Sequence, residues 1–311
     1  MTIKDIYEKA IEEGRKSDFR DKKEINWKLS RAKKEYDNLP DDKKDLFDEE
    51  RLKNPYSDTR ILHGDPETEV EKILVGIDID GEELLLAKEL GDIDLVISHH
   101  PRGEALAGLD DVMDLQIEML ASYGVPINIA EKLLKKRIKE VSRGLSPENH
   151  QRAVDMARLL DIPLMSIHTP CDNMVSKFVE EKLEKDNPRI LKEVLDSLRE
   201  ITEYREAEKM GAGPKLFVGS KKNRTGNIVM TEITGGTEGS PEIYEKLADA
   251  GAGTIIGMHI SEKHRKRAQK AHINVVIAGH MSSDSIGVNL FLDKLDAEIV
   301  PCSGFIRHKR N

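Results

Sequence analysis

Three short clusters carry the residue types that bind metals: His99-His100-Pro101, His168-Thr169-Pro170-Cys171-Asp172 and Gly279-His280-Met281-Ser282-Ser283-Asp284. Imidazole is the commonest metal ligand. Mixed imidazole and carboxylate sets suit zinc, iron or manganese better than calcium or magnesium. Pro101 restricts His100 to an extended backbone, and successive side chains of an extended chain point to opposite sides. The two neighbouring histidines are therefore expected to hold different ions rather than chelate one. His280 and Asp284 are spaced to share one face of a helix that starts after Gly279. Asp172 has two carboxylate oxygens and is the natural bridge between two cations. Two divalent ions about 3.5–4 Å apart form a recurring hydrolytic arrangement, in which a bridging water becomes nucleophilic at neutral pH. Each cluster alone also reads as an ordinary polar strand end or a surface His–Asp pair.

Each cluster directly follows an apolar run that reads as a buried strand: Ile93 to Ile97, Pro163 to Ile167 and Ile273 to Ala278. Another strand, Ile73 to Ile77, ends in Asp78 and precedes a helix over about 82–90. A helix is expected over 109–123, and short apolar and helical stretches alternate over 126–131 and 145–160. Residues 173–210 read as helical and charged. Strands then fall at Lys215 to Val218, Ile228 to Ile233, Gly253 to Met258 and Ala297 to Pro301, with helices near 241–250 and 261–271 between them. Strand–helix–strand alternation marks an α/β fold with mostly parallel sheets. The carboxyl edge of such a sheet would gather all three clusters. The expected organisation is two interlinked α/β units with mostly parallel mixed sheets, plus an N-terminal helical arm. In residues, this gives the arm at 1–65, an α/β unit with the first two clusters at 66–185, a smaller α/β unit at 186–275 and a return segment at 276–311. In the arm, Ile3, Ile6, Tyr7 and Ala10 follow helical spacing, and Asp41 can cap a helix through Phe47. Its expected role is packing against the body or a neighbouring subunit.

The net charge of −9 and an aromatic content of 4% disfavour a nucleic-acid or anionic-membrane surface. The two cysteines are too few for a disulfide framework. No apolar run is long enough to span a bilayer and no signal-peptide pattern opens the chain, so a cytoplasmic location is expected.

Taken jointly, the three clusters resemble the Nif-three-like family (NGG-one-interacting factor three), dinuclear-metal proteins often labelled type-two GTP cyclohydrolase. The resemblance runs from about Lys72 to Gly304 and omits the arm. It implies five ligands, His99, His100, Asp172, His280 and Asp284, holding two divalent ions, with Asp172 bridging. It places His168 near the centre as an outer-shell or substrate group. It also implies a ring-shaped homohexamer. This chain departs from the family at Asp284, where glutamate is usual; the shorter side chain bears on whether that residue reaches both ions.

Other residues have weaker claims. Asp78 and Asp80 close the first strand and can face the same cleft. Gly235-Gly236-Thr237 can approach a phosphate through backbone N–H groups, although the P-loop lysine spacing is missing. His259 is a candidate pocket residue, Cys171 reads as a small packed residue, and His264 to Arg267 read as a solvated basic face. The leading functional reading is a metal-dependent hydrolase of a small, nucleotide-like substrate. The alternative is a metal-ion carrier without turnover. A scaffold role in transcription is disfavoured by the charge.

Overall fold

The apolar runs fold into two sheets that face one another across a pair of helices. The computed structural model describes residues 1–310. The chain opens with α1 (Ile3–Lys16) and α2 (Lys22–Asp37), passes two short 3-10 turns and enters the first sheet at β1 (Arg60–His63). Next come β2 (Lys72–Gly76), α3 (Gly81–Leu90), β3 (Leu95–Ser98), α4 (Gly103–Ala107), α5 (Leu109–Val112) and α6 (Leu115–Ser122). They are followed by α7 (Ile127–Leu145), α8 (Arg152–Leu160), β4 (Leu164–Ser166), α9 (Thr169–Asp186), α10 (Leu191–Arg199) and α11 (Thr202–Lys209). The second sheet is built from β5 (Lys215–Val218), β6 (Asn227–Met230), α12 (Ile243–Asp249), β7 (Ala252–Gly257), α13 (Glu262–Lys270) and β8 (Asn274–Ile277). The chain then forms α14 (His280–Leu292) and β9 (Glu298–Cys302).

The first sheet has the order β1-β4-β3-β2-β9 and the second β5-β8-β7-β6. Only the edge strands β1 and β5 run antiparallel to their neighbours. The expected mostly parallel α/β architecture is thus present. Alternation along the strands splits each sheet into two buried faces, as parallel sheets require. Leu74, Val96 and Leu164 meet α3 and α8 on the outer face of the first sheet. Ile73, Val75, Leu95, Ile97 and Met165 meet α1, α9 and α14 on its inner face. The second sheet repeats the pattern. Met230, Ile256 and Val276 face α9, α10, α11 and α14, while Val229, Ile255 and Val275 face α6, α7, α12 and α13. Helices α9 and α14 therefore serve both cores. Cys171 and Val288 turn to the first sheet, Val175 and Ile286 to the second.

The arm is built into this body. Thr2 and Asp5 form a reciprocal capping box that starts α1. Ile3, Ile6, Tyr7 and Ala10 are then buried in the inner core of the first sheet. Three local expectations differ from the fold. Asp41 to Leu46 is a 3-10 turn entered from Pro40, with no side-chain cap. The helix expected over 109–123 is interrupted at Met113 and Asp114. Helix α7 runs well beyond the short stretches expected over 126–131, although only Ala130 and Leu134 of it are buried. Among the described residues no helix is long and apolar enough to cross a membrane.

Because Ile6 is fully buried, Ile6→Ala should destabilise the protein by about 2–5 kcal/mol. Ile127→Ala, at a side chain 52% exposed, should stay within about 0.5 kcal/mol of wild type. Urea unfolding midpoints compare the two.

Candidate metal centre

The three clusters meet where the inner helices begin. β3 ends at Ser98, and His99 and His100 lie just beyond it. β4 leads through Ile167 and His168 into α9, whose first turn holds Asp172. β8 leads through Gly279, at φ +117°, into α14, which starts at His280 and carries Asp284 one turn on. Strand alternation does not continue past Ser98, so both neighbouring histidines reach the same cleft, with ring centroids 5.5 Å apart. The ring of His168 lies 5.0 Å from that of His99, and the ring of His280 lies 5.1 Å from that of His100.

Three of these imidazoles are fixed from behind. His99 Nδ1 donates to the Ile167 carbonyl at 3.0 Å, His100 Nδ1 to Asp78 at 2.9 Å and His168 Nδ1 to Asp58 at 2.8 Å. A proton on each Nδ1 leaves the Nε2 lone pair facing inward, as metal-binding histidines require. Asp284 receives them: His99 Nε2 lies 3.6 Å from it, His100 Nε2 3.4 Å and His280 Nε2 3.6 Å. Asp172 lies 3.3 Å from His99 Nε2 and 3.6 Å from His168 Nε2. Donor atoms close enough to share an ion form three groups: His99, Asp172 and Asp284; His100, His280 and Asp284; and His99, His100 and His168. Asp284 belongs to two of them.

The electrostatics fit a cation. His99 Nε2, Asp172 Oδ1 and both oxygens of Asp284 are buried without a hydrogen-bond partner. An ionised carboxylate in that state costs several kcal/mol unless a positive charge accompanies it. Burial disfavours charge on His99 and His100, but the carboxylates around them override it and raise both pKa values. Burial likewise works against an ionised Asp284, and the same imidazoles hold its carboxyl well below the usual range. His280 is lowered, chiefly by burial. Divalent cations compete with protons for these same lone pairs, so the buried His and Asp groups could hold a metal ion.

Several supporting residues were not expected. Asp58 is fully buried and also accepts from Thr169 Oγ1 at 2.6 Å. Asn173, beside Asp172, accepts from Thr234 Oγ1 at 2.6 Å. Asp78, a strand-end acid expected to be able to face the cleft, orients His100 and is held at about 2 mainly by that hydrogen bond. Asp80 instead closes a capping box on α3. His264 leaves the solvated face expected of it: it is 3% exposed and lies 2.9 Å from Glu238. Cys171 is buried, and burial pushes its thiol up. A small cavity opens from the centre, lined by His168, Asp172, Glu232, Thr234, Gly236, Thr237, His259, His280 and Asp284.

No protein-family model and no curated protein matches the sequence. Solved structures do. A NIF3 superfamily protein from Sphaerobacter thermophilus is 26% identical, with a TM-score of 0.72 over 81% of this chain and 93% of that one. The chain has a NIF3-like fold. Reduced HcgD from Methanocaldococcus jannaschii is 17% identical with a TM-score of 0.48, over 78% of this chain and 87% of that one. A Bacillus cereus protein related to NIF3 is 11% identical with a TM-score of 0.39, over 78% and 89%. The likeness rests on the first of these, and it agrees with the family suggested by the three motifs.

In this chain the helices that carry Asp172 and Asp284, α9 and α14, nearly touch. A Cβ on Gly287 of α14 would lie 2.8 Å from the carbonyl carbon of Cys171 on α9. Gly287→Ala should push the helices apart, lowering both the unfolding midpoint and zinc affinity in a chelator competition. A second outcome concerns Glu232, a buried residue at φ +58° whose carboxylate accepts from the Gly239 N–H at 3.1 Å. Burial pushes its pKa from 4.5 up to about 7. The folded state then holds more protons than the unfolded one between these values, so stability falls as pH rises across that window. In chelator-treated protein Glu232→Gln should flatten this slope, as read by urea unfolding on either side of the window.

Proposed function

We propose that His99, His100, Asp172, His280 and Asp284 hold two divalent cations, and that the protein is a metal-dependent hydrolase of a small, nucleotide-like substrate. One cation would sit among His99, Asp172 and Asp284, the other among His100, His280 and Asp284. The observation that carries this reading is Asp284: it is 1% exposed, both oxygens lack a hydrogen bond, and three Nε2 atoms surround it. In this arrangement Asp284, despite its shorter side chain, is the carboxylate common to both groups, whereas Asp172, expected as the bridge, belongs to one. Bound divalent cations supply Lewis acidity and a nucleophilic water at neutral pH.

The chain's own groups complete the site. His168 gives its Nδ1 proton to the hydrogen bond with Asp58 and keeps Nε2 free beside Asp172. It can take up a proton at Nε2 while Asp58 stabilises the resulting imidazolium. Asp78 and the Ile167 carbonyl hold the rings of His100 and His99 in place. A second reading, an ion carrier without turnover, is favoured by the side chain of His280, which is 41% exposed and leaves one face of the centre open. The homohexamer implied by the family resemblance belongs to the same proposal, and light scattering tests it.

Elemental analysis should find two ions per loaded chain. Asp284→Ala should lose both, whereas Asp172→Ala should retain one. Loaded protein should turn over some member of a panel of nucleotides and phosphoesters faster than its chelated control. Firm metal uptake with no turnover, and quick release to a chelator, would replace the hydrolase with the carrier.

A further inference from the structure

The segment between β6 and α12 has a lopsided hydrogen-bond balance. Its carbonyls are tied back into the protein. Gln116 Nε2 donates to Gly235 O at 2.8 Å and to Thr237 O at 2.7 Å, Arg137 Nε donates to Glu238 O at 2.9 Å, and His264 Nε2 donates to Gly239 O at 3.0 Å. Its amides are not tied. From Ile233 to Glu238 no backbone N–H donates to a protein acceptor, and only at Gly239 does pairing resume, with Glu232. Ile233, Thr234 and Gly235 are buried, and the next three residues are half-buried. Buried backbone amides are nearly always paired, so an unpaired run of this length points to an acceptor from outside the chain.

The geometry says where that acceptor sits. Across a trans peptide the N–H points opposite to the preceding C=O, and no cis bond occurs among the described residues. Anchoring Gly235 O and Thr237 O on Gln116 of α6 therefore aims the amides of Gly236 and Glu238 away from α6. Gly235 and Gly236 sit at φ +87° and +89°, a conformation glycine adopts without steric cost. Successive amides in such turns form concavities that suit anions. Thr234, Gly236 and Thr237 line the same cavity as Asp172 and Asp284.

We propose that Thr234 to Glu238 form a cradle for an oxyanion of the phosphate class, which it presents to the metal centre. This inference rests on the metal reading above. No lysine or arginine lines the cavity, so positive charge has to come from bound cations. In metal-free protein the carboxyl groups that line the cavity, Asp172, Asp284 and Glu232, disfavour an anion, which makes oxyanion binding conditional on metal.

Calorimetric titration of full-length protein with inorganic phosphate tests this, with zinc content measured on the same samples. Phosphate should bind the zinc-loaded protein and not the chelated one. Gln116→Glu keeps the size of the side chain but removes the donor; it should keep its zinc and bind phosphate about tenfold more weakly or worse. Should that variant fold poorly, amide exchange in the wild type gives the same answer: phosphate should slow exchange across 234–238. Unchanged phosphate affinity in Gln116→Glu, or no slowing of those amides, would mean that phosphate touches only the metals and would overturn the cradle. Equal protection by acetate would overturn the phosphate assignment. Zinc uptake without phosphate binding removes the cradle alone, and no zinc uptake removes both readings.

Discussion

The close crossing of α9 and α14 sets the geometry of everything around it. Gly287 has no side chain, so α14 can lie against the backbone of Cys171. That contact brings together the first turns of both helices, with Asp172 on one and His280 and Asp284 on the other. Both helices are walled in by apolar side chains from two sheets. Close-packed interiors of this kind resist small displacements. The carboxylates are thus held at fixed separation by packing rather than by hydrogen bonds of their own.

Such a centre is a local weakness that the rest of the fold offsets. Two acids and several imidazoles are buried together, and much of their hydrogen-bonding capacity faces inward without a protein partner. Around them lie polar groups that are paired with one another. Asp18 and Arg20 form a buried pair at 2.7 Å, Tyr56 Oη donates to Asp18 at 2.8 Å, and Asp58 secures His168 and Thr169. Buried pairs of this type contribute little net stability. Here they fix the orientation of groups that must not relax toward one another. The N-terminal segment supplies Asp18, Tyr56 and Asp58, so it belongs to the wall of the centre as well as to the core.

Much of this was legible in the sequence. Strand runs ending in histidine announced the parallel sheets and the meeting of the three clusters, because a periodic apolar pattern and a polar terminus are local signals; the expected single sheet edge was not met, since His280 and Asp284 follow β8 of the second sheet. Asp58 was not legible: it lies in a stretch whose charges look like solvated surface, and its importance comes from a partner 110 positions away. Gln116 and Glu232 were hidden in the same way, since nothing near either residue reveals the loop that it holds. The alternation argument for His99 and His100 stopped applying where the strand stopped, at Ser98. Long-range pairing decides such details, and one sequence does not encode it in any short window.

The first sheet also has a consequence for how the protein is made. β2 is flanked by β3 on one side and by β9 on the other, so one of its neighbours is made long after β2 itself. Until then its outer edge stays open, and an open edge invites pairing with foreign strands. The first two histidine clusters emerge well before His280 and Asp284, so a nascent chain offers an ion an incomplete set of donors. The donor set that includes His280 and Asp284 is therefore complete only once α14 has been made.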